Sequence, residues 1–458
     1  MTRRKKVKQK DKLILFLLFL IGIVIGIKYL YTMPEFEREK PIIESEAHLF
    51  WNYKDSIQIT FRDNIGLKSY KLILSDGKRS EIIGQGQLEG YPKKQTILVK
   101  YPAKSKVLDI KSKHFIMTVN ITDNSVWHNT ATKKIDINID YKRPNVRVIA
   151  NSRTINQGGS ALVVFRAEDK NLDKVYVLAN GHTFKVQPYK KEGYYATLLA
   201  WPFTDKNFDA KVVATDKAGN KKEVPIPFYH VNIRYKVSKI RATNKFIDGK
   251  IADLSLSNPK YAGITDRLQR LKAINETMRE NNEALIHRLS KYISNKMIDH
   301  WKVKRFYPLK NRKKVGSYGD HRYYYYGNKN NIISESYHVG NDFASTKMAD
   351  IVTSNSGKVV FANTNGIYGN MPMIDHGLGL YTLYGHCSQI MVEEGDEVYA
   401  KEVIAKTGVS GLALGDHLHF GILIQGIEVR PVEWTDQKWI TVFIDNIFKK
   451  ADRMIASE

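Results

Sequence analysis

Cysteine is nearly absent from this chain. A single residue, Cys387, excludes any intrachain disulfide and any multi-cysteine metal site. Stability must therefore come from packed cores, and Cys387 itself reads as a small buried residue. Long low-complexity tracts are missing too, and the 43% hydrophobic content is ordinary for globular material. Acidic residues are in deficit. Asp and Glu number 47 against 72 Lys and Arg, a net charge of +25. The basic residues are spread along the whole length, so no stripe marks a nucleic-acid groove, and nucleic acid is not an expected partner. The charge suits a surface facing anionic lipid or an acidic polymer, and it equally serves solubility.

At 458 residues the chain is too long for one core, and domains of about 100–200 residues are expected. Residues 1–12 carry Arg3, Arg4, Lys5, Lys6, Lys8, Lys10 and Lys12 against Asp11, and an apolar run follows from Leu13 to Ile27. A spanning helix needs about 20 residues, or 17 at the low end. Residues 13–31 reach that length when Lys28 snorkels and Tyr29 and Tyr31 sit at headgroup level. The apolar core of a cleaved signal peptide also fits Leu13–Ile27, but no small-x-small cleavage site follows. The expectation is an uncleaved anchor at 13–31 in the cytoplasmic (inner) membrane. The basic tail 1–12 then stays in the cytoplasm, and the rest lies on the periplasmic or extracellular side.

The pattern after the anchor is mainly β. Ser56-Ile57-Gln58-Ile59-Thr60-Phe61 and Lys134-Ile135-Asp136-Ile137-Asn138-Ile139 alternate with period two, as half-buried strands do. A weak repeat relates the stretch from Asp63 to Leu72 with that from Asp169 to Leu178. In each unit a later apolar strand runs into an acidic turn, at Asp123 and at Asp216. Two Ig-like β-sandwich units are expected, at 47–143 and 144–235. Their role is that of a spacer, or else a surface for a glycan or partner. From 236 to 300 a linker leads into an amphipathic helix, with Ile264, Leu271, Met278, Leu285 and Tyr292 seven apart. Asn275 and Asn282 interrupt the companion row of Leu268 and Leu289. Such a helix packs on its own chain, docks a partner, or gates a neighbouring site.

Chemistry concentrates further on. His338-Val339-Gly340-Asn341-Asp342 places a histidine and an aspartate where they can converge on one ion. His417-Leu418-His419 places two imidazoles on one face of a strand. His386 follows Leu383-Tyr384-Gly385. Catalytic zinc takes three nitrogen or oxygen ligands and keeps one position open for water. Spare imidazoles can then move a proton or bind an oxyanion. His376 and His321 read as local hydrogen-bonding groups. The run Tyr323-Tyr324-Tyr325-Tyr326 fits either a groove wall or an alternating strand.

These motifs stand in a particular order: His-x-x-x-Asp, Tyr-x-His after Asp375-His376-Gly377-Leu378-Gly379, then Gly-Asp-His-Leu-His-Phe at 415–420. With Val392–Val398 and Gly408-Val409-Ser410-Gly411, the stretch from Phe306 to Val432 resembles the LytM/lysostaphin-type metallopeptidases, family M23. The resemblance covers somewhat over a quarter of the chain. It implies a flattened antiparallel β peptidase domain at 306–434, followed by a tail at 435–458. It also implies Zn2+ held by His338, Asp342 and His419. His417 would be the free imidazole acting on the metal-bound water, and His386 would stabilise the tetrahedral intermediate. The segment Gly395-Asp396-Glu397-Val398 also resembles biotinyl and lipoyl carrier hairpins. No Met-Lys-Met or Asp-Lys-Ala tripeptide follows, so only the likeness of fold remains.

The expected function is therefore a zinc metalloendopeptidase, a peptide-bond hydrolase that cuts peptidoglycan stem-peptide crosslinks in cell wall remodelling. By the resemblance, relatives divide between glycine bridges and direct crosslinks. An anchored enzyme facing a thin wall points to the direct crosslink, hence to a D,D-endopeptidase. The alternatives are a peptidase-fold regulator that activates another wall hydrolase, and a zinc peptidase acting on a protein. Expected partners are peptidoglycan, the cytoplasmic membrane through the anchor, and a divisome or wall-synthesis protein.

Overall fold

Side chains alternate across a β-strand, so a strand with one wet face must alternate in sequence. That rule organises most of this chain, whose computed structural model describes residues 2–458, with side chains described from residue 10 onward. Met1, the first residue of the expected basic tail, lies outside the described residues, as do the side chains of 2–9. The chain is mainly β, with one helix, Thr2–Thr32, at its start. Within it Lys10–Thr32 is long and apolar enough to cross a membrane. Its apolar residues from Leu13 to Tyr31 are exposed. The helix begins well before the apolar run, so the basic residues continue the same helix rather than forming a separate element.

The chain divides into two compact units, one of residues 1–143 with 215–221 and one of 144–214 with 222–458. The first holds a two-sheet sandwich. Ile42–Glu44, Ile57–Arg62 and Lys94–Val99 form one sheet. The other runs in the order His48–Trp51, Thr130–Ile139, His114–Asp123, Leu67–Ser75, Ser80–Gln87. Phe115, Met117, Val119 and Ile121 alternate into its core and meet Ile59 and Phe61. Asp63 Oδ2 accepts hydrogen bonds from the backbone of Ile65 and Gly66, which explains the acid at that turn.

The second unit begins with another pair of four-stranded sheets. In one, Ser160–Glu168 lies between Asn145–Asn151 and Tyr194–Ala200. Residues 160–165 are all buried, so this strand has no wet face. Both faces are covered because a single apolar core continues from Leu162, Val164 and Leu198 to Phe420, Ile422 and Trp434. The C-terminal helix Asn446–Ala456 adds Phe448, Ala451 and Ile455 to it. The Glu433 carboxylate, itself buried, accepts from the Ser160 backbone at 3.0 Å and from Asn156 at 2.8 Å.

A further sheet has eight strands. Its order is Lys313–Gly316, Asn341–Ala344, Leu418–Ile424, Leu380–Gly385, Asn370–Asp375, Gly357–Thr364 and Glu397–Val398, with Ile427–Val429 paired to Leu418–Ile424. A smaller sheet sets Val237–Arg241 parallel to Asp320–Tyr325, which pairs with Ile332–His338. The tetratyrosine run is thus largely strand, with Tyr324 turned inward. The amphipathic helix spans 267–289 and contains a π-turn at Ala273–Met278. That turn carries an extra residue, so burial passes from Leu271, Ile274 and Met278 to Ile286 instead of Leu285. Tyr292, the last residue of the sevenfold row, lies beyond the helix and is exposed. The helix packs on its own chain, against Met371, Met373, Tyr381 and Leu383 of the sheet. The two asparagines that break its apolar row make polar ties. Asn275 Nδ2 donates to Ser334 Oγ at 2.8 Å, and Asn282 Oδ1 accepts from the Ile367 backbone at 3.0 Å.

Candidate metal centre and its cleft

Leu418–Ile424 is the central strand of the site. Leu418 and Phe420 point into the core, which turns His419 to the opposite face, and His417 precedes it on that same face. Asp342 and Gly385 pair with His419 from the two neighbouring strands. His338 closes Ile332–His338, and His386 follows Leu380–Gly385 in a left-handed conformation, φ 66°, that swings its ring back over the strand. All five residues line one cleft of about 820 Å3.

His338 Nε2, His419 Nδ1 and Asp342 Oδ1 form a triangle with every side 3.0 Å. His338 Nδ1 lies 2.9 Å from the Ser317 carbonyl oxygen. A carbonyl only accepts, so the imidazole proton sits on Nδ1 and Nε2 carries a lone pair. Lone pairs of nitrogen and carboxylate oxygen facing one another at this distance call for a cation among them. Ligands about 2.0–2.1 Å from a tetrahedral ion stand roughly 3.3 Å apart, so the triangle suits a metal. The group is buried and can hold one. Burial alone raises the Asp342 carboxyl, but His338 and His419, when they present protons to it in place of a cation, more than reverse this and hold it well below the usual carboxylate range. Burial lowers His419 to about 4, keeping its imidazole neutral and ready to ligate.

Two further imidazoles face the same space. His386 Nδ1 donates to the Ser410 carbonyl at 2.9 Å, and His417 Nδ1 to that of Gly415 at 2.7 Å. In its neutral form each ring therefore presents the Nε2 lone pair to the cleft. The two rings lie 4.8 Å apart, and His417 Nε2 is 3.6 Å from Asp342 Oδ1. Burial holds His386 well below the ordinary histidine value.

Several residues of the site carry no motif. Arg322 Nη2 stands 3.6 Å from Asp342 Oδ2, the oxygen outside the triangle, and its Nε lies 3.4 Å from Asp320. Ser238 Oγ in turn donates to Asp320. The signal that could have found Arg322 is a lone cation in a strand of tyrosines, which sequence alone does not connect to His338. The roof of the cleft also comes from outside the motifs, from Arg241, Lys245, Phe246 and Lys250 of the 240–253 segment. The remaining singled-out residues lie elsewhere. Buried His376 bonds Ser356 and Thr382, and burial lowers it to about 4. His321 contacts Glu335. The Cys387 thiol donates to the Tyr384 carbonyl, and burial raises it to about 12, far from a reactive thiolate.

Residues 336–431 match Peptidase family M23. The DD-carboxypeptidase/endopeptidase Mpg of Neisseria meningitidis serogroup B is 39% identical over 95 residues, 21% of this chain and 22% of that protein. The peptidoglycan DD-endopeptidase ShyA of Vibrio cholerae is 36% identical over 95 residues, 21% of each. The murein hydrolase activator NlpD of Salmonella dublin is 35% identical over 106 residues, 23% of this chain and 28% of that protein. The chain thus spans between a fifth and a third of the length of these curated relatives.

Proposed function

We propose, from the premise that the C-terminal domain is of peptidase family M23, that this chain is a zinc endopeptidase of peptidoglycan held at the cytoplasmic membrane by its first helix. The observation that carries the reading is the 3.0 Å triangle of His338, Asp342 and His419, open on one side to a cleft that holds two more imidazoles. A zinc ion there would polarise the scissile carbonyl and acidify a bound water. The chain supplies the rest. His417 Nε2, 3.6 Å from Asp342 Oδ1, takes the proton from the attacking water. His386 holds the oxygen of the tetrahedral intermediate. That role requires a second proton on His386, taken up at Nε2 from water in the open cleft as negative charge grows on the intermediate, against the burial that opposes it.

The bond we assign is the direct crosslink between D-alanine and a diamino acid, because one relative is named a peptidoglycan DD-endopeptidase and another a DD-carboxypeptidase/endopeptidase. The activator NlpD marks the rival role. Digestion of purified sacculi by the zinc-loaded full chain, read by mass spectrometry, separates the two. Conversion of crosslinked dimers to tetrapeptide monomers is the expected result. Intact dimers overturn the specificity, and no soluble product without an added hydrolase points to the activator role.

A further inference from the structure

The cleft is cationic, and its charge comes from outside the part shared with the family. Its lining contains Arg241, Lys245, Lys250, Arg279 and Arg322 against two carboxylates, Asp253 and Asp342. All five cations precede residue 336, where the family match begins. Within 336–431 the lining is imidazole, Asp342 and uncharged residues such as Ile367, Tyr368 and Leu412. Asp342 already belongs to the triangle, which leaves Asp253 alone to face this wall.

The cations differ in how occupied they are. Arg322 bridges Asp320 and Asp342. Arg279 donates to the backbone and side-chain oxygens of Asn275 and stands 4.0 Å from Glu283. Lys250 donates to the Val409 carbonyl at 2.6 Å, an uncharged partner on the facing loop. Among the described residues, Arg241, Lys245 and Lys250 have no carboxylate partner. Three cations without a carboxylate partner thus line the cleft, Arg241 and Lys245 exposed at its wall and Lys250 half-buried. Such a wall concentrates anions and binds a carboxylate by charge-assisted hydrogen bonds.

We infer that Arg241, Lys245 and Lys250 form a carboxylate-binding subsite that selects peptides carrying a free carboxylate beside the bond to be cut. The inference rests on the peptidase reading for its substrate class. It assigns specificity to the 240–253 segment rather than to the shared sheet. Neutral peptides of equal length bind the cleft without this anchor and are held more weakly.

The test uses the full chain and a fluorescein-labelled crosslinked muropeptide dimer in two forms, free acid and carboxamide. Binding is read by anisotropy, and cleavage is read in parallel with zinc present. The free acid should bind about tenfold more tightly than the amide, the size of one charge-assisted contact. Arg241→Gln/Lys245→Gln/Lys250→Gln should reduce that preference to within about twofold. Lys245→Gln alone, at an exposed residue, should reduce it in part and guards against misfolding of the triple variant. Equal binding of both forms by the unaltered chain, or an unchanged preference in folded variants, overturns the subsite. A binding preference without cleavage of either dimer upholds the subsite and sinks the peptidase reading. Cleavage of both dimers with equal KM does the reverse.

Discussion

His338 and His419 can close on Asp342 because two glycines leave room for them. A Cβ on Gly340 would stand 2.5 Å from His419 Nε2, and one on Gly316 would stand 2.2 Å from Asp342 Oδ2. The glycine within His-x-x-x-Asp thus serves the packing of His419 as well as the backbone. The proposed division between ligands and non-ligands can be tested by substitution. His338→Ala, Asp342→Ala and His419→Ala should each lower zinc content from about one per chain to a small fraction. His417→Ala should keep the metal and lose about 100-fold or more in turnover, because in the proposed mechanism its Nε2 serves a proton and not the ion. Elemental analysis beside kinetics checks this, and zinc lost with His417 but kept with His419 reverses the assignment. The five residues singled out by spacing do line one cleft. Ser317 lies outside every motif, and Ser410 and Gly415 stood within motifs without their role being legible, because all three act through backbone carbonyls, which any residue type supplies.

The helix at 267–289 shows where periodicity misleads. A sevenfold apolar row is read as one straight seam, but the π-turn at Ala273–Met278 moves the buried side by one residue. Its asparagines look like defects in that row, yet Asn275 is buried and bonded to Ser334 and Arg279. Asn275→Ala should therefore cost about 1–3 kcal/mol in chemical denaturation, since it strands the partners of a buried amide. Lys272→Ala, at an exposed position on the same helix, should cost less than about 0.5 kcal/mol. Equal and small effects would show that the helix is held by its apolar residues alone. The alternating strands of the first sandwich were legible because each has one wet face. Ser160–Glu168 was not, because a strand covered on both sides reads as an unbroken apolar run with no phase.

At the scale of the whole molecule, the second sandwich, the peptidase sheet and the C-terminal helix share one core. Sequence reasoning sets boundaries where composition changes, and a core that crosses such a boundary leaves no local mark. Glu433 shows how closely the parts are joined, since its buried carboxylate is satisfied by Asn156 and Ser160, more than 270 residues earlier in the chain. Glu433→Ala should cost about 2–4 kcal/mol by leaving those donors unpaired. Hydrogen exchange should show the amides of 162–165 and 420–424 losing protection at the same denaturant concentration. Protection lost separately in the two segments would mean that they fold as independent parts. The shared core also bears on ancestry and on engineering. A peptidase module that ends at its own surface can be shuffled between genes or grafted as a cassette. In this chain the inner face of 336–431 packs on the second sandwich and the C-terminal helix, so a fragment cut to that segment would leave the face bare, whereas 144–458 carries its cover with it.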